Sequence, residues 1–138
     1  MDQARLVSDE LEAGSQFIRR FHQSFPVSAA FWLKAPDDSP WYLYIASDAL
    51  DDVNLRAAYG RVIELGGESP TPNFDPFQVK LIHGDDPLAL AALQAARRST
   101  PSRVTRLADP WFGDRIVEGV YLYPPPALAP TPAGPTPP

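Results

Sequence analysis

Two aromatic-rich runs within residues 27–46, VSAAFWLKAPDDSPWYLYIA, predict a β-hairpin around the loop APDDSP. Proline, aspartate and serine favour turns in that loop, and successive side chains on a strand point to opposite sheet faces. The alternation therefore predicts two groups of side chains, with Trp32, Tyr42 and Tyr44 on one face and Phe31, Leu33, Leu43 and Ile45 on the other. We expect the second group to build the core and the first group to be free for binding.

Apolar side chains spaced by three and four residues predict three amphipathic helices, over residues 8–25, 50–65 and 87–98. Gly66 and Gly67 suit the end of the second helix. The apolar stripes consist of Gly14, Phe17, Ile18, Phe21 and Phe25 in the first helix, Leu55, Ala58, Tyr59 and Val62 in the second, and Ala89, Ala92, Leu93 and Ala96 in the third.

The other predicted elements are strands. Residues 77–82 alternate between two faces, and residues 103–107 and 115–123 predict a second hairpin around the irregular segment ADPWFGD. The resulting order is α-β-β-α-β-α-β-β, in which strands and helices do not alternate strictly, so a doubly wound parallel fold is disfavoured. We expect an α+β fold with a mixed or mostly antiparallel sheet of about five strands and with helices mostly on one sheet face.

The composition changes sharply after Tyr123. Residues 124–138, PPPALAPTPAGPTPP, hold eight of the chain's 17 prolines and no charged side chain. Proline lacks an amide hydrogen and favours an extended backbone, so this segment suits neither a helix interior nor a central strand. We expect a single domain over residues 1–123 and a disordered, solvated proline-rich tail over residues 124–138. Segments of this composition also serve as ligands for aromatic grooves.

The whole chain has 138 residues, a net charge of -5 and no cysteine. The acidic balance disfavours nucleic acid and anionic membrane surfaces as partners, and the lack of cysteine excludes thiolate chemistry. No apolar run approaches the roughly 18–20 residues that cross a bilayer, and the acidic N-terminus does not resemble a signal peptide. We therefore expect a cytoplasmic protein, and both a monomer and a homo-oligomer remain open.

The best candidate for a reactive site is KLIHGDDP, residues 80–87, where a predicted strand meets a predicted helix. His83 with Asp85 and Asp86 suits acid-base chemistry or part of a metal site, which makes a hydrolase the alternative function. The structural interpretation is favoured, because Asp85 or Asp86 would cap the helix that begins at Pro87. We expect no metal or cofactor, since the chain has no HExxH, GxGxxG, GxxxxGK[ST] or GxSxG motif.

Two groups of side chains favour a protein-binding role instead. The first is an arginine group, whose guanidinium ions suit carboxylates or phosphates and which consists of Arg97, Arg98, Arg103 and Arg106. The second is an aromatic face, with Lys34 and Lys80 beside it, which consists of Trp32, Tyr42, Tyr44, Tyr121 and Tyr123. The competing interpretation is that the first helix or the proline-rich tail covers this face.

We therefore expect a small interaction or accessory domain that binds a protein partner through the aromatic face or the arginine group. The amino-acid pattern identifies neither the partner nor a substrate. This hypothesis requires a solvent-exposed aromatic surface, because tryptophan and tyrosine concentrate at the energetic centres of protein interfaces.

Overall fold

The structure, a computed structural model, describes residues 8–36, 39–68, 74–99 and 104–124. Arg103 and residues 125–138 of the predicted tail lie outside this part of the chain. The helices are α1 (Ser8–Ser24), α2 (Leu55–Glu68) and α3 (Pro87–Ser99), with a 3₁₀ turn at Pro76–Gln78. The strands are β1 (Ala29–Lys34), β2 (Trp41–Ser47), β3 (Val79–His83), β4 (Thr105–Leu107), β5 (Trp111–Phe112), β6 (Arg115–Ile116) and β7 (Gly119–Leu122).

Five strands form a mixed sheet in the order β3-β2-β1-β7-β4, which confirms the predicted α+β fold. Among the strands of the described residues, only β2 and β3 are parallel, joined through α2, and the other neighbours are antiparallel. The predicted strand over residues 115–123 is divided, because the amide of Val117 bonds to the carbonyl of Pro110. As a result β6 pairs with β5 in a separate two-stranded ribbon, while β7 enters the main sheet.

Helices cover both faces of the sheet. Phe17 and Phe21 of α1 and Val62 of α2 pack against one face, and Leu88 and Ala92 of α3 pack against the other. Two of the three helices in the described segments therefore share a face, as expected. The other face is covered by α3 together with the β5–β6 ribbon.

The predicted boundaries of α2 shift toward the C-terminus. Residues 50–54 precede the helix in a turn, where the Asp51 carboxylate accepts hydrogen bonds from the amides of Val53 and Asn54 at 2.9 and 2.8 Å. At the other end the helix continues through Gly66 and Gly67 to Glu68. Gly66 is required by packing, since a Cβ there would overlap the ring of Pro76.

The hairpin register overturns the predicted division into an aromatic and a core face. Trp32 pairs with Leu43, and Phe31 pairs with Tyr44. Since six residues separate Lys34 from its partner Trp41, even positions on β1 lie opposite odd positions on β2. Period-two alternation holds within each strand, but the loop decides which positions on the two strands share a face.

A buried hydrogen-bonded network holds α1 against the sheet. The Trp32 indole donates to the Tyr123 hydroxyl at 2.8 Å, and this hydroxyl donates to the carbonyl of Leu11 at 2.7 Å. Gly14 allows this close approach, because a Cβ at that position would overlap the Tyr123 hydroxyl. The first helix therefore covers the Trp32 side of the sheet, which is one of the two coverings expected from the sequence.

Gly113 begins the two-residue turn between β5 and β6 with a φ of 64°, a conformation that side chains with a Cβ disfavour. Gly113→Ala is therefore expected to lower the free energy of unfolding by about 1 kcal/mol. Chemical denaturation followed by circular dichroism measures the change. Gly60→Ala is the matched control, because it lies in α2 with no atom within 4 Å of an added Cβ and should be neutral or stabilising. Equal stability of the Gly113 variant and the native chain would contradict the assignment of this turn.

Candidate interaction groove

The five residues of the predicted aromatic face lie on two different sheet faces. Trp32, Tyr121 and Tyr123 share the face covered by α1 and α2, whereas Tyr42 and Tyr44 belong to the face covered by α3. The expectation of one continuous aromatic patch is therefore wrong. Four of the five are buried, and a partner would have to displace α1 to reach Trp32, which is 2% exposed.

The two lysines expected beside the aromatic face are also separated. Lys34 lies on the Trp32 face, is buried, and forms an ion pair with Glu118 at 3.1 Å. Lys80 lies on the edge strand β3 with its ammonium group 4.3 Å from the centre of the Tyr42 ring. Lys34 therefore serves an internal contact, while Lys80 covers part of the opposite face.

The arginine group does not form one patch either. Arg97 and Arg98 are exposed in the last turn of α3. Arg106 lies on the opposite side of the sheet, because it pairs with Tyr121 and donates to the Tyr121 hydroxyl at 3.1 Å. Since Arg103 lies outside the described residues, only Arg97 and Arg98 are observed together.

The corner at His83 has the predicted helix cap. The Asp86 carboxylate accepts a hydrogen bond from the amide of Leu88 at 2.9 Å, so it caps α3 with Pro87 in the first turn. His83 Nδ1 lies 2.7 Å from the Asp85 carboxylate, and both side chains are substantially exposed. Asp85 and Asp86 thus serve different contacts and do not converge on a cavity beside His83.

A cavity of about 360 Å³ does lie beside His83, but its acidic residues are Asp51 and Asp52. These residues follow β2, and His83 ends β3. Because β2 and β3 are parallel, the segments that follow them meet at the same end of the sheet. Within the described ranges, no three histidine, aspartate or glutamate side chains form a group that could hold a metal ion.

A larger exposed concavity with apolar walls lies elsewhere, between α3 and the β5–β6 ribbon. It consists of two adjoining depressions of about 550 and 250 Å³, and we name it the α3 groove. Leu90 lines the first depression and Trp111 the second, and their exposed fractions are 51% and 58%. Both depressions share the residues Ala91, Gln94 and Gly113.

The two aromatic side chains of β5 lie in opposite environments. Phe112 is buried and packs edge-on against Phe31 with ring centres 5.0 Å apart. Trp111 pairs with Ile116, and both are more than half exposed. The packing of Phe112 therefore fixes the position of Trp111 beside α3.

Two cations border the groove, Arg97 in the first depression and Arg98 in the second. Neither forms an ion pair with any residue that the structure describes. The acidic residues of the groove are already engaged, since Asp109 accepts from the Trp111 amide at 2.9 Å and Asp114 lies 3.8 Å from Arg115. The groove thus combines apolar walls with two guanidinium groups that are open to a ligand.

Trp111 and its ribbon were missed by the sequence analysis, which treated ADPWFGD as an irregular connection. The missed signal is the dipeptide Gly113–Asp114 between Trp111–Phe112 and Arg115–Ile116, since glycine followed by aspartate is typical of two-residue hairpin turns. Two residues on each side are too few for alternation to reveal a strand.

None of the helices in the described segments is both long enough and apolar enough to cross a membrane. Comparison of the chain with protein-family models, with curated proteins and with solved structures finds no match. The geometry of the groove is therefore the basis on which a function is inferred.

Proposed function

We propose that this chain is a protein-interaction domain whose α3 groove binds an extended segment of a partner protein that carries both apolar and acidic side chains. The observation that carries the proposal is the position of Trp111, 58% exposed, in one depression with Arg98, while Arg97 lines the adjoining depression. The lack of cysteine suits a reducing compartment, so we place this activity in the cytoplasm.

Trp111 provides the apolar centre of the proposed binding surface. A large aromatic side chain left in water loses the stabilisation that burial provides, which is why tryptophan is enriched among the residues that dominate binding energy. Leu90, half exposed in the adjoining depression, extends the apolar surface along α3. An extended segment several residues long can contact both side chains.

Arg97 and Arg98 provide the positive charge of the proposed binding surface. A guanidinium group forms paired hydrogen bonds with a carboxylate, and such charge-assisted bonds are stronger than those between neutral groups. The whole chain is acidic, with a net charge of -5, so long-range attraction does not favour an acidic partner. Recognition would depend on local contact with these two arginines.

Three pools of fluorescent ten-residue peptides test the proposal. All contain leucine and phenylalanine, combined with aspartate and glutamate, with asparagine and glutamine, or with lysine and arginine. Fluorescence anisotropy should show the tightest binding for the acidic pool. Trp111→Ala is expected to weaken that binding at least about tenfold, and Arg97→Ala and Arg98→Ala by about threefold to tenfold each.

Matched controls separate the groove from general surface effects. Phe77→Ala removes an aromatic ring that is 78% exposed in the 3₁₀ turn, and Arg56→Ala removes an exposed arginine from α2. Both should leave binding unchanged. Equal affinity for all three pools, or an equal loss in the control variants, would overturn the proposal.

A further inference from the structure

We infer that the proline-rich segment of this chain, residues 125–138, docks in the α3 groove of the same molecule. The inference rests on the proposed function in one respect, because it assigns the groove a competing occupant. The spin-label measurement that tests the docking uses no partner peptide.

The composition of the segment matches the chemistry of the groove. Half of residues 125–138 are proline, and none has a charged side chain. An extended proline-rich backbone has no internal hydrogen bonds, so its carbonyl oxygens need external donors, and its rings pack against aromatic side chains. The Trp111 indole and the Gln94 carboxamide line the groove, and neither side chain makes a hydrogen bond with the described residues.

The segment is also long enough to follow the whole groove. At about 3.1 Å per residue, an extended segment of fourteen residues spans about 43 Å. The 13 residues of α3 extend over about 20 Å, so the segment exceeds the length of the groove. It follows β7, where Leu122 belongs to the apolar cluster under α3 and the hydroxyl of Tyr123 is bonded to α1.

Attachment to the same chain makes weak docking sufficient. A short flexible connection holds a ligand at an effective concentration on the order of millimolar, so contacts that would be negligible between separate molecules can populate a bound state. Because the segment has no charged side chain, it leaves Arg97 and Arg98 without carboxylates. An acidic partner would make those contacts in addition to the apolar ones, and would therefore displace the segment.

A single spin label tests the docking in the full chain. The protein has no cysteine, so Thr131→Cys provides a unique site for a nitroxide. The proposal predicts strong paramagnetic broadening of the NMR signals of the Trp111 indole and of the amides of Ala91, Gln94 and Gly113. A label at Ile63→Cys, which lies exposed on α2 across the sheet, should leave these signals sharp.

Full-chain variants identify the interaction that holds the segment. Replacing Pro130, Pro132 and Pro135 with serine should abolish the broadening, and so should Trp111→Ala, while Phe77→Ala should retain it. The serine variant should also bind the acidic peptides about threefold to tenfold more tightly, because it lacks the intramolecular competitor.

Broadening spread evenly over the surface, or confined to residues outside the groove, would overturn the docking. The two proposals fail separately. A groove that holds the labelled segment but binds no acidic peptide would contradict only the proposed function. A groove that binds the peptide while the label leaves it unaffected would contradict only the inference.

Discussion

Phe31→Ala is expected to lower the free energy of unfolding by about 3–5 kcal/mol, the range observed when a large buried side chain leaves a cavity. Phe31 is fully buried, with its ring stacked 5.3 Å from Tyr44 and edge-on to Phe112 at 5.0 Å. Urea denaturation at 25 °C, followed by circular dichroism, measures the loss. Since Phe112 positions Trp111, the same variant should also weaken peptide binding.

Phe77→Ala is the matched control for stability, because that ring is 78% exposed in the 3₁₀ turn. It should change the free energy of unfolding by less than about 0.5 kcal/mol. A loss below about 1 kcal/mol for Phe31→Ala would show that the ribbon and α3 do not form a packed layer over this strand.

Tyr123→Phe is expected to lower the free energy of unfolding by about 2 kcal/mol, since it removes one hydroxyl and leaves two polar partners without it. The buried Trp32 indole loses its acceptor, and the carbonyl of Leu11 loses a donor. Thermal and urea denaturation measure the change. Tyr59→Phe is the control, because its hydroxyl accepts from the amide of Leu81 at the sheet edge but its side chain is partly exposed, so the loss should be smaller.

The pH dependence gives a second measurement on Tyr123. Burial raises the pKa of this phenol above its ordinary value of 10.0. The folded state then keeps a proton that the unfolded state releases, so the hydroxyl's contribution is complete below pH 10.0 and is lost as the pH rises toward the higher folded pKa. The stability difference between the native chain and Tyr123→Phe should therefore stay constant up to about pH 9 and narrow as the pH rises from about 10 to about 11. A constant difference would contradict burial of this group.

Some binding residues of the groove could be predicted from the sequence and others could not. The arginines of α3 were identified from their sequence alone, and Arg97 and Arg98 do border the groove. Trp111 was missed, because exposure of a tryptophan depends on which neighbours the chain brings to it. Trp32 and Trp111 are chemically identical, yet one is 2% exposed and the other 58%.

At the His83 corner, too, a local contact was predicted from the sequence and a long-range contact was not. The cap formed by Asp86 was predicted because a helix N-terminus needs acceptors within a few residues of sequence. The approach of Asp51 and Asp52 to His83 was not predicted, since about thirty residues separate them and only the parallel pairing of β2 with β3 joins their ends.

The sequence by itself determined the three helices, most strands of the main sheet and the α+β class. The spacing of Phe17, Ile18 and Phe21 and the alternation along residues 27–46 depend on backbone periodicity, which acts over a few residues. Only the tertiary structure decided which faces meet. The register of β1 on β2 placed Trp32 under α1 and Tyr44 under α3, and the packing of Phe112 on Phe31 left Trp111 exposed beside α3. These outcomes depend on contacts between residues distant in the sequence, which local periodicity does not specify.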